Sequence, residues 1–220
     1  MIAIIDYSTG NLRSVQNALA RLGAESIVTS NHQEILSADR VLIPGVGHAA
    51  AAMANLQERG LDKLIPTLTM PVLGICIGMQ LMCRHSQEGD VKCLSLFNAD
   101  VKKFTMPDLK VPHMGWNRVW RAENGLPVGE QIKSLEQEQK IESLEQIKNV
   151  DALFTNIQDG AYFYYVHSYA PTLCEHTIAT TNYGVDFSGA LSNGNFFGTQ
   201  FHPEKSGDVG EMLLKNFLEM

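Results

Sequence analysis

A chain of 220 residues, 45% of them hydrophobic, can bury one sizeable core, enough for one large α/β domain or two small ones. A net charge of −7 without clustered Lys or Arg argues against nucleic-acid binding, which needs a basic stripe to neutralise phosphates. No apolar run approaches the roughly 20 residues that cross a bilayer. The opening "MIAIIDYSTGN" has no leader-like charge or cleavage site, so a soluble cytoplasmic protein is expected.

The first half alternates. "IAIID" (2–6) is a short β-branched run, followed by a helical stretch over 11–23 with Leu12, Val15, Leu19 and Leu22 at helical spacing and Gly23 at its end. "SIVTS" (26–30) is strand-like. Asn31 with Glu34 three residues on reads as a helix start. "RVLIPG" (40–45) is a strand ending in a turn, and the helical stretch 48–59 stops at Gly60. "PVLGI" (71–75) is a buried-strand run, and "CIGMQLMCR" opens another helix. This order predicts a parallel sheet with helices on both faces.

The second half is richer in strands joined by short polar connections: "VKKF", "GWNRVW", "GAYFYYVHSYA", "HTIATTNY" and "FSGALSNGNFFGTQFH". "SNGN" (192–195) holds the Asn-Gly pair that favours a two-residue hairpin. "VGEMLLKNFLEM" closes the chain with the spacing of a docked amphipathic helix. One domain over 1–220 is expected, with residues 129–150 as an inserted excursion. That segment repeats "SLEQ" at 134–137 and 143–146 and is rich in Gln, Glu and Lys. It reads as a solvated helix or floppy excursion, the sharper alternative being a partner-binding helix.

Cys76 sits in G-x-C-x-G between the strand-like 71–75 and a helix start. This is the pattern of a nucleophile elbow, where glycines at −2 and +2 avoid β-carbon clashes at a sharp turn. The following helix start favours the thiolate and offers the Ile77 N–H to an oxyanion. A structural cysteine at a tight turn is the plainer alternative. Cys83, Cys93 and Cys174 form neither a CxxC pair nor a disulfide framework and read as inert fillers.

A thiolate nucleophile needs a proton shuttle and a group to orient it. Of seven histidines, His202 stands out in "GTQFHPEKSG": it ends a strand-like run, Pro203 breaks the strand, and Glu204 lies two residues on. His113, His167 and His176 lack metal-ligand spacing and read as structural, and no metal site or cofactor is expected. "IPGVG" (43–47) is a strand end whose glycines allow close backbone approach and a second oxyanion donor, or simply an ordinary turn.

In order, "PGVG", "GICIGMQ", "PHMGWN", "YFYYVHSY" and "FHPEKSG" closely resemble the class I (triad) glutamine amidotransferases, over nearly the whole chain except about 129–150. "PGVG", "PHMGWN" and "YYVHSY" are most similar to the branch of glutaminase subunits that serves imidazole glycerol phosphate synthesis in histidine biosynthesis. The resemblance implies a flavodoxin-like fold, with a mixed, mostly parallel central sheet, helices on both faces and antiparallel additions. It implies that Cys76 attacks the glutamine carboxamide, that His202 serves as base and then acid, and that Glu204 orients His202. It puts the oxyanion at the backbone of Ile77, Val46 and Gly47, and glutamine against Gln80, Glu88, Ser168, Tyr169 and Gly45. Gln80 could equally be a polar helix-face residue. Asn11, Trp116, Tyr164 and Lys205 match positions near a partner junction, although Trp116 and Tyr164 could be core aromatics.

The 220 residues carry no phosphate loop or dinucleotide fingerprint to use the ammonia. The family likeness implies a heterodimer with a (β/α)₈ cyclase subunit that receives it and makes imidazole glycerol phosphate and an aminoimidazole carboxamide ribotide. It also implies a glutaminase that is nearly idle until partner and ligand are bound, with "PGVG" as a switch. The alternatives are a paralogous amidotransferase feeding another synthase, such as one aminating a surface sugar, a catalytically silent binding module, and a cysteine peptidase or γ-glutamyl hydrolase.

Overall fold

The computed structural model describes residues 1–8, 11–107, 109–123, 126–127 and 152–220. The "SLEQ" excursion at 129–150 therefore lies outside the described residues.

Four short apolar runs build one half of the main sheet: β1 (Ile2–Ile5), β2 (Ser26–Thr29), β3 (Arg40–Ile43) and β4 (Val72–Ile75). All four residues of β1 and of β4 are buried, as expected of strands covered on both faces. The connections are α1 (Leu12–Arg21), α2 (His32–Leu36), α3 (Ala49–Glu58) and α4 (Leu61–Leu64). The helix start at Asn31 is borne out: its side-chain oxygen accepts from the N–H groups of Gln33 (2.9 Å) and Glu34 (3.3 Å). Gly23 and Gly60 follow α1 and α3 with φ of 72° and 66°, conformations open to glycine.

After α5 (Ile77–Met82), the chain forms the short strands β5 (His85–Ser86), β6 (Val91–Lys92) and β7 (Asp100–Lys103), then the long β8 (His113–Glu123) and β9 (Leu126–Pro127). The remaining strands are β10 (Ala161–His167), β11 (Tyr169–Pro171), β12 (Thr177–Asn182), β13 (Asp186–Asn193) and β14 (Phe196–Thr199). Helix α6 (Gly207–Glu219) closes the chain and buries Leu213, Leu214, Asn216 and Phe217. Asn216 is buried without loss because its amide donates to the carbonyls of Leu153 and Thr155.

The main sheet runs β10-β8-β12-β13-β14-β4-β3-β1-β2, with β9 paired to β8. From β14 to β2 every pairing is parallel, and from β14 to β10 every pairing is antiparallel. β14 is therefore where the two regimes meet. The β13–β14 hairpin has Asn193 paired with Phe196, so Gly194 and Asn195 form the two-residue loop. The Asn-Gly pair of "SNGN" sits one position early, with Gly194 (φ 60°) taking the first loop place.

A second sheet, β11-β7-β5-β6, was not foreseen from the sequence. It matters because its β5–β6 connection carries Glu88 and its strand β11 begins with Tyr169. Among the described residues, no helix is long and apolar enough to cross a membrane.

Candidate active site

Three adjacent parallel strands, β3, β4 and β14, end at the same edge of the sheet, and each delivers one part of the site from its carboxyl end. That is where open α/β sheets present ligand crevices. β3 leads into Gly45–Gly47, β4 into Cys76, and β14 into His202. Register couples two of them directly: Thr199 pairs with Ile75, and the Cys76 N–H donates to the Thr199 carbonyl at 2.7 Å.

Cys76 adopts φ 54° and ψ −109°, a backbone conformation that non-glycine residues avoid. The flanking glycines explain how it is held there. A β-carbon at Gly78 would stand 1.8 Å from the Ile43 carbonyl oxygen, and one at Gly74 would stand 2.7 Å from backbone atoms of residues 78 and 79. The turn is tight enough that helix α5 packs with its backbone against strands β3 and β4. The elbow expected from G-x-C-x-G is present in geometry, and a space-filling cysteine would not need it.

The sulfur opens onto a cavity of about 270 Å³ lined by Val46, Gly47, Cys76, Ile77, Gln80, Glu88, Pro112, Val166, His167, Ser168 and Tyr169. Seven of the residues expected to touch glutamine or its oxyanion thus line one cavity: Val46, Gly47, Ile77, Gln80, Glu88, Ser168 and Tyr169. Gly45 does not line it. A β-carbon there would meet the Tyr7 hydroxyl at 2.5 Å and Ile77 Cβ at 2.9 Å, so this glycine lets the loop pack on the elbow. Glu88 also accepts from the Ala49 N–H at 2.8 Å, which fixes its carboxylate at the start of α3.

His202 and Glu204 are buried together, with the imidazole Nδ1 2.8 Å from Glu204 Oε1. Because Nδ1 meets a carboxylate it carries a proton, leaving Nε2 as the other working atom. Nε2 is buried without a hydrogen-bond partner. Burial pulls the His202 pKa down, but the negative charge of the nearby Cys76 sulfur and then Glu204 outweigh it and raise the pKa to about 10.

Asn11 enters the site from the start of α1. It takes φ 78°, makes no cap to its own helix, and donates its amide to Glu204 Oε1 at 2.6 Å. Expected near a partner junction, it thus also touches Glu204, the acid expected to orient His202. Trp116 is 55% exposed, which removes its reading as a core aromatic. It pairs across strands with Tyr164, rings edge to face at 6.1 Å. The Tyr164 carbonyl accepts from the His202 N–H (2.9 Å), and its N–H donates to Ser206 Oγ (3.0 Å). Lys205, between them in the turn, is exposed.

Two features were missed in the sequence. His113 and His167 form a buried pair, Nδ1 to Nε2 at 2.9 Å, and His167 Nδ1 donates to the Tyr169 carbonyl at 2.8 Å. Burial pushes His113 down to about 4 and His167 down to about 3, so both are neutral. Gln200 is fully buried and donates to the Cys76 sulfur at 3.5 Å. Alternation along an extended segment puts residues 200 and 202 on one side, which was a usable signal. The other cysteines fit the filler reading: burial raises the pKa of Cys83, of Cys93 to about 11, and of Cys174. Among the described residues, no cluster of His, Cys, Asp and Glu could hold a metal ion.

A family model described as glutamine amidotransferase class-I matches residues 3–220. The chain is 46% identical over 220 residues to the imidazole glycerol phosphate synthase subunit HisH of Pectobacterium atrosepticum. It is 43% identical over 221 residues to that of Bacteroides thetaiotaomicron. Both alignments cover 100% of this chain and 99% of the relative. Among solved structures, a glutamine amidotransferase superposes with a TM-score of 0.65 at 16% identity, over 100% of this chain and 98% of that one. The PurLQS structure from Thermotoga maritima gives a TM-score of 0.62 at 15% identity, over 99% and 97%. At such identities these two bear on the fold alone, and the fold agrees with the sequence relationship. An elbow cysteine, a His–Glu pair delivered beside it, and a family match spanning the chain lead to one conclusion: this protein belongs to the class I glutamine amidotransferases.

Proposed function

We propose that this chain is the glutaminase subunit of an imidazole glycerol phosphate synthase of histidine biosynthesis, working in the cytoplasm with a (β/α)₈ cyclase subunit. The observation that carries the reading is the strained Cys76 beside the buried His202–Glu204 pair, facing a cavity of the right chemistry for an amino acid amide. The full-length relatives named as that synthase's HisH subunit favour it over a sugar-aminating paralogue. A silent binding module would have no use for the strain at Cys76.

In this mechanism the Cys76 sulfur attacks the carboxamide carbon of glutamine, forming the C–S bond of a tetrahedral adduct. The oxyanion lies against the Ile77 N–H and a backbone N–H of the Val46–Gly47 loop. His202 gives its Nε2 proton to the departing nitrogen, the C–N bond breaks, and ammonia leaves a γ-glutamyl thioester. His202, now neutral, takes a proton from water, whose oxygen attacks the thioester. Glutamate forms and the thiolate is expelled. Glu204 holds the ring orientation throughout. Glu88 and the unpaired Oε1 of Gln80 receive the α-ammonium group, with Ser168 and Tyr169 forming the facing wall. Released to water, ammonia would become ammonium, a poor nucleophile. The cyclase, docked near Trp116, Tyr164, Lys205 and Asn11, takes it up first.

The test is ammonia release from glutamine with and without the cyclase and its ligand, for the native chain and Cys76→Ala. Stimulation by the partner and complete loss in the variant are expected, while ammonium salts still support the partner's synthesis. Glutamine hydrolysis that persists in Cys76→Ala overturns the assignment.

A further inference from the structure

The polarity of a buried amide is set by what its neighbours can accept, and here one carbonyl fixes two amides in succession. The Tyr169 carbonyl, held by His167 Nδ1, can only accept. Gln80 therefore turns its NH₂ group toward it, at 2.9 Å. The second hydrogen of that NH₂ group goes to Gln200 Oε1, also at 2.9 Å. With its oxygen taken, Gln200 presents its own NH₂ group to the Cys76 sulfur at 3.5 Å. Flipping Gln200 would set NH₂ against NH₂ in a site where both side chains are buried. The backbone N–H of Gln200 is tied as well, to the Gly189 carbonyl at 2.8 Å.

We propose that Gln200 is a further catalytic residue: its side-chain N–H, aimed by the carbonyl-anchored relay through Gln80, stabilises the Cys76 sulfur as a thiolate. The role rests on the cysteine glutaminase reading above. An N–H donor to an anionic acceptor is among the stronger hydrogen bonds, and burial strengthens it. It acts twice in the cycle. Before attack it holds the nucleophile ionised and pointed into the cavity. After water has added to the thioester, the same sulfur leaves as a thiolate and regains the donor. In the thioester itself the sulfur is neutral and the bond counts for little. His202 supplies the proton and Gln200 the fixed dipole, so the two roles are separable.

The titratable groups around this sulfur are His202, with Glu204 behind it, and Glu88, His167 and Tyr169 along the cavity wall. None of them changes in the test. Gln200→Met keeps the length without a donor. Gln200→Glu keeps an acceptor for Gln80 but brings negative charge to the sulfur. Alkylation of Cys76 by iodoacetamide, located by mass spectrometry, is followed across pH. In Gln200→Met the neutral-pH rate is expected to fall about tenfold and the midpoint to rise about one pH unit, the scale of one hydrogen bond to a charge. Gln200→Glu is expected to lose more. In the native chain, the Gln200 side-chain amide resonance should move as Cys76 ionises and stop moving once Cys76 is alkylated. Profiles that coincide with the native one in both variants, or an amide resonance indifferent to Cys76, would overturn the role. These readouts do not require glutamine turnover, so a chain that failed to hydrolyse glutamine would sink the functional reading while leaving Gln200 decided.

Discussion

The elbow and the far end of the loop after β3, at Gly47, both depend on glycine, but for opposite reasons. At Gly74 and Gly78 there is no room: added β-carbons would run into backbone within 1.8–2.7 Å. At Gly47 there is nothing but room, since no atom lies within 4 Å of an added β-carbon, and yet φ is 121°. The first region is locked by packing and carries Cys76, the proposed nucleophile. The second packs closely at Gly45, against Tyr7 and Ile77, but at Gly47 it is held by backbone conformation and lines the cavity. On the proposed function, such a site would hold the attacking sulfur fixed and leave the oxyanion loop free of packing at Gly47.

The largest effect should come from breaking the packed side. Gly78→Ala forces backbone apart between β3 and α5 and is expected to cost more than about 4 kcal/mol, read as a collapse of the denaturation midpoint. Full stability in that variant would mean the elbow is less constrained than its geometry implies. Removing the shuttle while leaving the elbow intact comes next: His202→Ala should lower glutamine hydrolysis about 10³-fold with folding preserved. On the open side, Gly47→Ala should fold nearly normally and lose about 10–100-fold in partner-stimulated hydrolysis, because the loop must leave φ 121°. An unchanged turnover there would remove the loop from the oxyanion. Smaller still, Asn11→Ala should lower hydrolysis a few-fold, about the scale of one hydrogen bond to Glu204.

The buried histidine pair gives a pH-dependent comparison of the same kind. His113 and His167 have folded pKa values below the ordinary 6.5, at about 4 and about 3. The unfolded chain therefore binds more protons between those values and 6.5. Their contribution is present above about pH 6.5 and is lost as pH falls toward 4 and then 3. Denaturant titrations at descending pH should show this loss, and His113→Phe should flatten its upper part. A slope identical to the native one in that variant would break the assignment.

Much of the framework was legible in the sequence because it is local. The apolar runs 2–5, 40–43 and 72–75, the Asn31 cap and the G-x-C-x-G elbow each declare themselves within a few residues. His202 and Glu204 were legible because they stand two residues apart around Pro203, although the pair meets through a 3-10 turn over Pro203–Lys205 and not through strand alternation. The second sheet was not, since β5 and β6 are two residues each and form only when β7 and β11 arrive from farther along. Gln200 contacts Cys76 across 124 positions, and Asn11 contacts Glu204 across 193. Periodicity cannot name the partners in such pairs, although alternation did put Gln200 on the same side as His202. At Gly45 the motif signals close approach without saying what approaches, and the structure shows Tyr7 and Ile77 there.

The rung between the Cys76 N–H and the Thr199 carbonyl has a mechanical corollary. Cys76 directly follows β4 and His202 lies three residues past the end of β14, so sulfur and imidazole hang from neighbouring parallel strands tied together at this rung. Prying them apart would mean unzipping the middle of the sheet. Under the proposed function, an idle state would then be set at the rim of the crevice, where a docked subunit would act without having to gather scattered machinery.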